Sequence, residues 1–293
     1  MNSGEVFKGI NYKIIGAMPE NISGVEDNPD NVRDGYCFFA VNGEKYNGED
    51  FAAAAAGNGA DAVVSEKPLN LTCCNVIVGN IRECMGAVCK NFYLGENPKI
   101  KITGVVGTNG KTSVCHVLYK IFSYAGKKSA YLGTLGGKIG EEETESELTT
   151  PGTVELYKFI GKAEKAGTEY LFMELSAHAI CQKRDYGLFY ESLIFTNCTE
   201  DHLDYFKTME EYAAVKKSAF DRRKCKYMII NSDDATGREI LNDNEGANVL
   251  TYGIYNPADV FAIDITERTD GLGFIVNLFD IIYEMSSPLI GLC

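Results

Sequence analysis

The chain has 293 residues, 45% of them apolar, 24% charged and 11% aromatic, a composition that supports two domains with separate cores and excludes a disordered or fibrous protein. Lys and Arg number 28 against 41 Asp and Glu, and the formal charge of -13 repels polyanions, so nucleic acid is not an expected partner. No apolar run is long enough to cross a bilayer, and Glu5, Lys8, Lys13, Glu20, Glu26 and Asp27 stand where a signal peptide would be apolar, so no membrane association and a cytoplasmic location are expected.

Short apolar runs punctuated by Gly, Asn and Asp predict strands at 37–41, 62–64 and 76–78, an alanine-rich helix at 51–56 and a helix over 81–93. The turn-rich Gly95-Glu96-Asn97-Pro98 then marks a boundary, which makes residues 1–98 a small mixed α/β domain. From Ile100 onward, strands are spaced by helix-length segments, the pattern of a parallel sheet with crossover helices. They fall at 102–106, 170–175, 192–196, 227–231 and 249–252, and 260–265 with 274–278 reads as a hairpin added at a sheet edge. The fold class is therefore α/β, with a second domain over 99–293. The acidic run 141–147 reads as a solvated loop, and the ten cysteines, none in a C-x-x-C pair, read as reduced and mostly buried thiols.

Between the strand at 102–106 and the next helix lies Gly107-Thr108-Asn109-Gly110-Lys111-Thr112-Ser113. Gly107 and Gly110 permit a tight turn whose N–H groups face an anion, Lys111 adds a point charge, and Thr112 offers a hydroxyl to Mg²⁺. This is the chemistry of a nucleoside triphosphate loop, although Val105 stands where the strict G-x-x-x-x-G-K-[ST] template has its first glycine. Phosphoryl transfer also needs a metal-holding carboxylate at a neighbouring strand end. Glu174 closes the strand 170–174, and Glu200-Asp201-His202-Leu203-Asp204 follows the strand 192–196, gathering acids and an imidazole at the same sheet edge. His116 on the following helix reads as a packing residue.

Several motifs occur together in order and spacing: Gly107–Thr112, Thr149-Thr150-Pro151, Glu174-Leu175-Ser176-Ala177-His178, Thr196-Asn197, Asp201-His202-Leu203-Asp204, Tyr212 with Lys216, and Asn231-Ser232-Asp233-Asp234. In this set the chain resembles the Mur ligase family, most closely its MurE type, along nearly its whole length. The resemblance implies a UDP-sugar-binding domain over 1–98 and an ATP-binding P-loop domain over 99–293. The implied reaction is ATP-dependent addition of a diamino acid, meso-diaminopimelate or L-lysine, to UDP-MurNAc-L-Ala-D-Glu through an acyl phosphate, by a monomer that uses Mg²⁺.

Carried over by motif position, Lys111 and Thr112 hold phosphate and metal, Glu174 and His202 ligate Mg²⁺, and Lys216 is the lysine that becomes carbamylated, an anion able to bind a second metal. Lys111, His202 and Lys216 are thus the expected catalytic residues. By side-chain chemistry alone Lys216, beside Lys217, reads instead as a surface lysine. Glu44, Lys45 and Tyr46 match a loop for the uridine diphosphate, and Thr149, Thr150, Ser176, Gln182 and Arg184 match the contacts to the MurNAc-peptide; Thr150 and Ser176 read equally as helix caps. Asn28-Pro29-Asp30 stands where the family carries Asp-Ser-Arg, and Ala177 replaces a common second serine. The family continues beyond Cys293 into an adenine-contacting helix and an amino-acid-binding domain, so this chain alone is expected to be weak or inactive as a ligase. Two alternatives stay open: a Mur-type amide ligase for a different carboxylate, and a non-catalytic nucleotide-binding homologue.

Overall fold

The structure is a computed structural model that describes residues 1–43 and 46–288. Its first elements are α1 (Ser3–Val6), β1 (Tyr12–Ile15), β2 (Gly24–Glu26), β3 (Tyr36–Phe39), α2 (Ala52–Gly57), β4 (Ala60–Ser65), β5 (Cys74–Val78) and α3 (Ile81–Tyr93). The strands form one sheet in the order β1-β5-β4-β3-β2, parallel except for β1, which pairs antiparallel with β5. Val63, Phe38, Ala40, Ala52 and Ala55 form a buried cluster, which explains the alanine-rich helix: small side chains let α2 lie close against the strands. The Asn80 side chain accepts from the Glu83 N–H and caps α3.

The rest of the chain supplies β6 (Lys101–Val106), α4 (Lys111–Tyr124), β7 (Ser129–Gly133), β8 (Gly136–Ile139), β9 (Glu142–Thr144), α5 (Thr153–Lys165), β10 (Tyr170–Glu174), α6 (Ala177–Cys181) and β11 (Tyr190–Phe195). It continues through α7 (Leu203–Phe206), α8 (Met209–Lys217), β12 (Cys225–Asn231), α9 (Ala235–Asp243), β13 (Val249–Gly253), β14 (Val260–Arg268), β15 (Gly271–Leu278) and β16 (Ile281–Ser287). The second sheet runs β16-β15-β14-β13-β12-β11-β6-β10-β7-β8-β9. Its middle, from β14 through β7, is parallel, as the alternation of strands and helices predicts. β6 lies at its centre between β11 and β10, buried at every residue after Lys101.

Contacts divide the chain into two compact units, and the division is not a single cut at residue 98. The first unit takes Met1–Lys99 together with Pro151–Gly167 and Gln182–Leu188; the second takes the remainder. In the first unit α5 is tied by Lys158 to the buried Glu26 at 2.8 Å and by the Tyr157 hydroxyl, which donates to the Tyr186 carbonyl at 2.6 Å. The expected edge hairpin is a three-stranded antiparallel meander, because β16 adds to β15. The acidic run holds the short strand β9, exposed at each residue. No helix among the described residues is long and apolar enough to cross a membrane. Of the described cysteines, Cys37, Cys74, Cys84, Cys89, Cys115 and Cys225 are buried and none is disulfide-bonded.

Candidate active site

All features of the site described first belong to the second unit, at the ends of β6, β10 and β11 where the parallel strands open onto their helices. The turn after β6 is wound tightly. Gly110 takes φ +84° as it enters α4, a conformation that L side chains avoid. A Cβ on Gly107 would fall 1.8 Å from Thr196 Oγ1, so only glycine lets the turn approach β11 this closely.

Residues just beyond β11 hold the turn from below. The Asn109 N–H donates to Asn197 Oδ1 at 2.9 Å, the Thr196 hydroxyl donates to the Asn109 carbonyl at 2.6 Å, and the Thr108 N–H donates to the Asn197 carbonyl at 2.9 Å. The Thr108 hydroxyl donates to the Thr199 carbonyl and accepts from the Thr199 N–H, both at 3.1 Å. Asp234 fixes this holding loop in turn, accepting from the Cys198 N–H at 2.8 Å while it caps α9. Thr196 and Asn197 belong to a motif read from the sequence, but their work as a clamp on the glycine turn, and that of Thr199, is visible only in three dimensions.

Lys111 folds back over the turn, and its ammonium donates to the Gly107 and Thr108 carbonyls at 2.8 Å each. Burial disfavours its charged form and pushes its pKa down. Beneath it the Thr112 hydroxyl donates to Glu174 Oε2 at 2.8 Å. Glu174, at the end of β10, is 1% exposed. Its Oε1 accepts from the Tyr131 hydroxyl at 2.6 Å and the Thr134 N–H at 2.9 Å, and its Oε2 also accepts from the Thr134 hydroxyl at 3.1 Å. Four donors, two to each oxygen, meet the demand that burial makes on these polar atoms. Tyr131 and Thr134 were not expected from sequence, since β7 carries no motif and lies some forty residues from Glu174 in the chain.

Lys216 is not a surface lysine: it is fully buried, its ammonium donates to Thr108 Oγ1 at 2.5 Å, and it sits 3.9 Å from the Tyr212 ring centroid. Desolvation depresses its pKa to about 8. His202 belongs to a neighbouring aromatic group. It adopts φ +52° at the start of α7, its ring centroid is 4.8 Å from that of His178 and 6.2 Å from that of Tyr212, and its Nε2 lies 3.5 Å from Asp201.

Thr150 is buried and bridges backbone, donating to the Glu174 carbonyl at 2.8 Å and accepting from the Ser176 N–H at 3.0 Å. Ser176 accepts from the Ala179 N–H at 3.2 Å, as a cap would, while Thr149 hydrogen-bonds Thr134 at 3.2 Å. Gln182 and Arg184 lie in the first unit, where Arg184 donates to Gln182 Oε1 at 3.1 and 2.9 Å. Tyr46 is 70% exposed; Glu44 and Lys45 lie outside the described residues. Asn28 accepts from the Asp30 N–H and caps a short turn of helix, Pro29–Asn31. His116 packs its ring tilted against Tyr119 and edge-on to Tyr131, in keeping with a packing role.

The Mur ligase middle-domain model matches residues 105–292, and the model of the Mur ligase family catalytic domain matches residues 21–106. The chain belongs to the Mur ligase family. It is 32% identical over 280 residues to the UDP-N-acetylmuramoyl-L-alanyl-D-glutamate--2,6-diaminopimelate ligase of Aquifex aeolicus, covering 96% of this chain and 58% of that one. To the enzyme of the same name from Bacillus velezensis it is 36% identical over 261 residues, covering 87% and 53%. A solved structure of a ligase of that name superposes with a TM-score of 0.88 at 27% identity, over 99% of this chain and 60% of the other. The MurF ligase of Thermotoga maritima, in complex with ADP, shares the fold at a TM-score of 0.56 and 20% identity, over 89% and 57%. The chain thus spans little more than half the length of its curated Mur ligase relatives.

Proposed function

We propose that this chain carries the nucleotide and metal half of an ATP-dependent amide ligase of peptidoglycan precursor synthesis, acting as a cytoplasmic monomer on UDP-MurNAc-L-Ala-D-Glu and a diamino acid. The diamino acid is 2,6-diaminopimelate, the one in the names of its relatives, with L-lysine as the alternative. In this reaction the γ-phosphoryl group passes from ATP to the free D-glutamate carboxylate, giving ADP and an acyl phosphate. The amine of the diamino acid then attacks the acyl carbon, phosphate leaves, and the new amide gives up a proton.

The observation that carries the reading is the Thr112–Glu174 hydrogen bond directly beneath the glycine turn. A hydroxyl and a buried carboxylate are hard oxygen donors suited to Mg²⁺. Among the described residues no group of three or more His, Cys, Asp or Glu gathers, so the fit is to an ion held mostly by phosphate oxygens and water with few protein ligands. Bound there, Mg²⁺ would neutralise charge on the β and γ oxygens. Lys111 would exchange its two carbonyl contacts for phosphate oxygens, and the N–H groups at the start of α4 would orient them. Lys216, with His202, is assigned to a second metal once carbamylated; its depressed pKa leaves more free amine than an ordinary lysine has.

Residues 1–98 are proposed to bind the uridine nucleotide, with the exposed Tyr46 and, by motif position, Glu44 and Lys45 as its contacts. Thr149, Thr150 and Ser176 would approach the peptide, and Gln182 with the Arg184 guanidinium would serve a carboxylate. The test is calorimetric titration of the 293-residue chain with ADP, in Mg²⁺ and in EDTA. Binding that Mg²⁺ strengthens, and that Lys111→Ala abolishes, is expected; binding indifferent to both overturns the assignment. Titration with a panel of UDP-MurNAc precursors fixes the carboxylate substrate, the dipeptide being expected to bind most tightly.

A further inference from the structure

Tyr131 points its hydroxyl at one oxygen of Glu174, and the two oxygens of that carboxylate live in different settings. Oε1 is fully engaged within the protein, by the Tyr131 hydroxyl at 2.6 Å and the Thr134 N–H at 2.9 Å. Oε2 faces the phosphate turn, where the Thr112 hydroxyl meets it at 2.8 Å and the Thr134 hydroxyl at 3.1 Å. Hydroxyls can turn and give up their bonds to an ion, whereas an N–H fixed in the backbone cannot. The Tyr131 phenol is held almost as firmly. Its ring is 3% exposed, packed in the cluster of Val105, Cys115, Tyr119, Phe172 and Ile194, with the His116 ring edge-on at a centroid distance of 6.0 Å. Its oxygen also accepts from the Leu135 N–H at 3.4 Å, so the proton has one direction in which to point.

We propose that Tyr131 is a positioning residue for the metal site: with the Thr134 N–H it locks Glu174 Oε1 and thereby dedicates Oε2 to the divalent cation beside Thr112. This rests on the reading of Glu174 as a metal ligand. Groups that hold a metal ligand from behind fix its orientation, and losing one costs on the order of 10- to 100-fold in metal affinity. The residue makes no contact with nucleotide in this scheme, so its effect appears only when metal is present.

The discriminating experiment uses the 293-residue chain, titrated with ADP in excess Mg²⁺ and in EDTA, beside Mn²⁺ binding followed by electron paramagnetic resonance. Tyr131→Phe removes one oxygen and keeps the ring. It is expected to weaken Mn²⁺ and Mg²⁺·ADP binding about 10-fold while leaving ADP binding in EDTA unchanged. Tyr131→Met, which fills the space without a phenol, is expected to give the same split if it folds, judged by its melting curve. A Phe variant that binds Mn²⁺ and Mg²⁺·ADP like the parent overturns the inference and leaves the nucleotide site standing. Equal losses with and without metal also overturn it, since they mark a purely structural effect. A parent chain whose ADP affinity ignores Mg²⁺ overturns the metal reading of Glu174 and this inference with it.

Discussion

The middle of the large sheet and its β16 end obey opposite rules. At the edge formed by β6, β10 and β11, charged and polar groups are buried: Glu174 is 1% exposed, Lys216 is fully covered, and each is met by hydrogen-bond partners. At the far end, the β14–β16 meander leaves apolar groups in water, with Ile281 at 57%, Ile282 at 67% and Met285 at 45% exposure. Folding works against the cost of desolvating charge at the first edge and gains little from burial at the second. The difference marks where structure has been committed to chemistry. Substitutions at the two places should therefore differ in size and in kind.

The largest effect is expected at Glu174. Glu174→Ala strands the Tyr131 hydroxyl and the Thr134 N–H without an acceptor, each worth about 1–3 kcal/mol, and opens a void besides. A loss of about 3 kcal/mol or more is expected in the urea unfolding free energy. Glu174→Gln retains an acceptor oxygen and the volume, and should lose less than half as much. Equal losses for the two variants would show that the carboxylate's partners are not what holds this edge together.

Lys216 comes next, and its effect has a pH signature. Its folded pKa of about 8 lies below the unfolded value near 10.5, so between those values the unfolded chain binds the extra proton. Stability therefore rises with pH through that window, while below about pH 8 the full cost of burying the cation is present. A shift of this size corresponds to roughly 3 kcal/mol in order of magnitude. Lys216→Met should be more stable than the parent at neutral pH in carbon dioxide-free buffer, and the gap should close as pH approaches 10. A gap that does not change with pH would mean that Lys216 binds its proton equally well in the folded and unfolded chains, so that burial leaves its titration unchanged.

How much of this could be read from the chain follows the same division. The α/β class, the tight glycine turn between β6 and α4 and the centres of the parallel strands were legible, because Gly107 and Gly110 between an apolar run and a helical one mark such a turn. β7 was missed because Ser129-Ala130-Tyr131-Leu132-Gly133 is short, lacks β-branched residues and is buried on both faces, so it shows no alternation. With it went Tyr131 and Thr134. Lys216 was legible only by resemblance, since nothing in the composition of α8 separates it from Lys217, whose side chain pairs with Glu239 at 2.7 Å. The joining of 151–167 and 182–188 to the first unit is a long-range fact with no local signature.

Gly107→Ala tests close packing rather than charge. The new Cβ cannot coexist with Thr196 Oγ1 at 1.8 Å, so Thr196 must turn away and release the Asn109 carbonyl. Overpacking and the lost bond should together cost about 1–3 kcal/mol, and ADP binding should fall well below detection because the turn is displaced from the residues that hold it. Retained binding in this variant would show the turn to be far more plastic than its hydrogen bonds imply.

The smallest effect should lie in the meander, and pairing one substitution there with one in the middle of the sheet puts the comparison on a single scale. Ile282→Thr keeps the branched Cβ that suits a strand and exchanges a methylene arm for a hydroxyl already bathed in water, so a change within about 0.5 kcal/mol is expected. The same exchange at Ile194, 7% exposed beside Val105 and Phe172, removes apolar contact and buries a hydroxyl in their midst, for a loss of about 2 kcal/mol or more. Propensity is nearly constant between the two variants, so the gap in their urea midpoints measures burial alone. Equal midpoints would show that β16 is covered in solution to the same degree as β11, and that the contrast between the middle of the sheet and its β16 end is not a property of the folded chain.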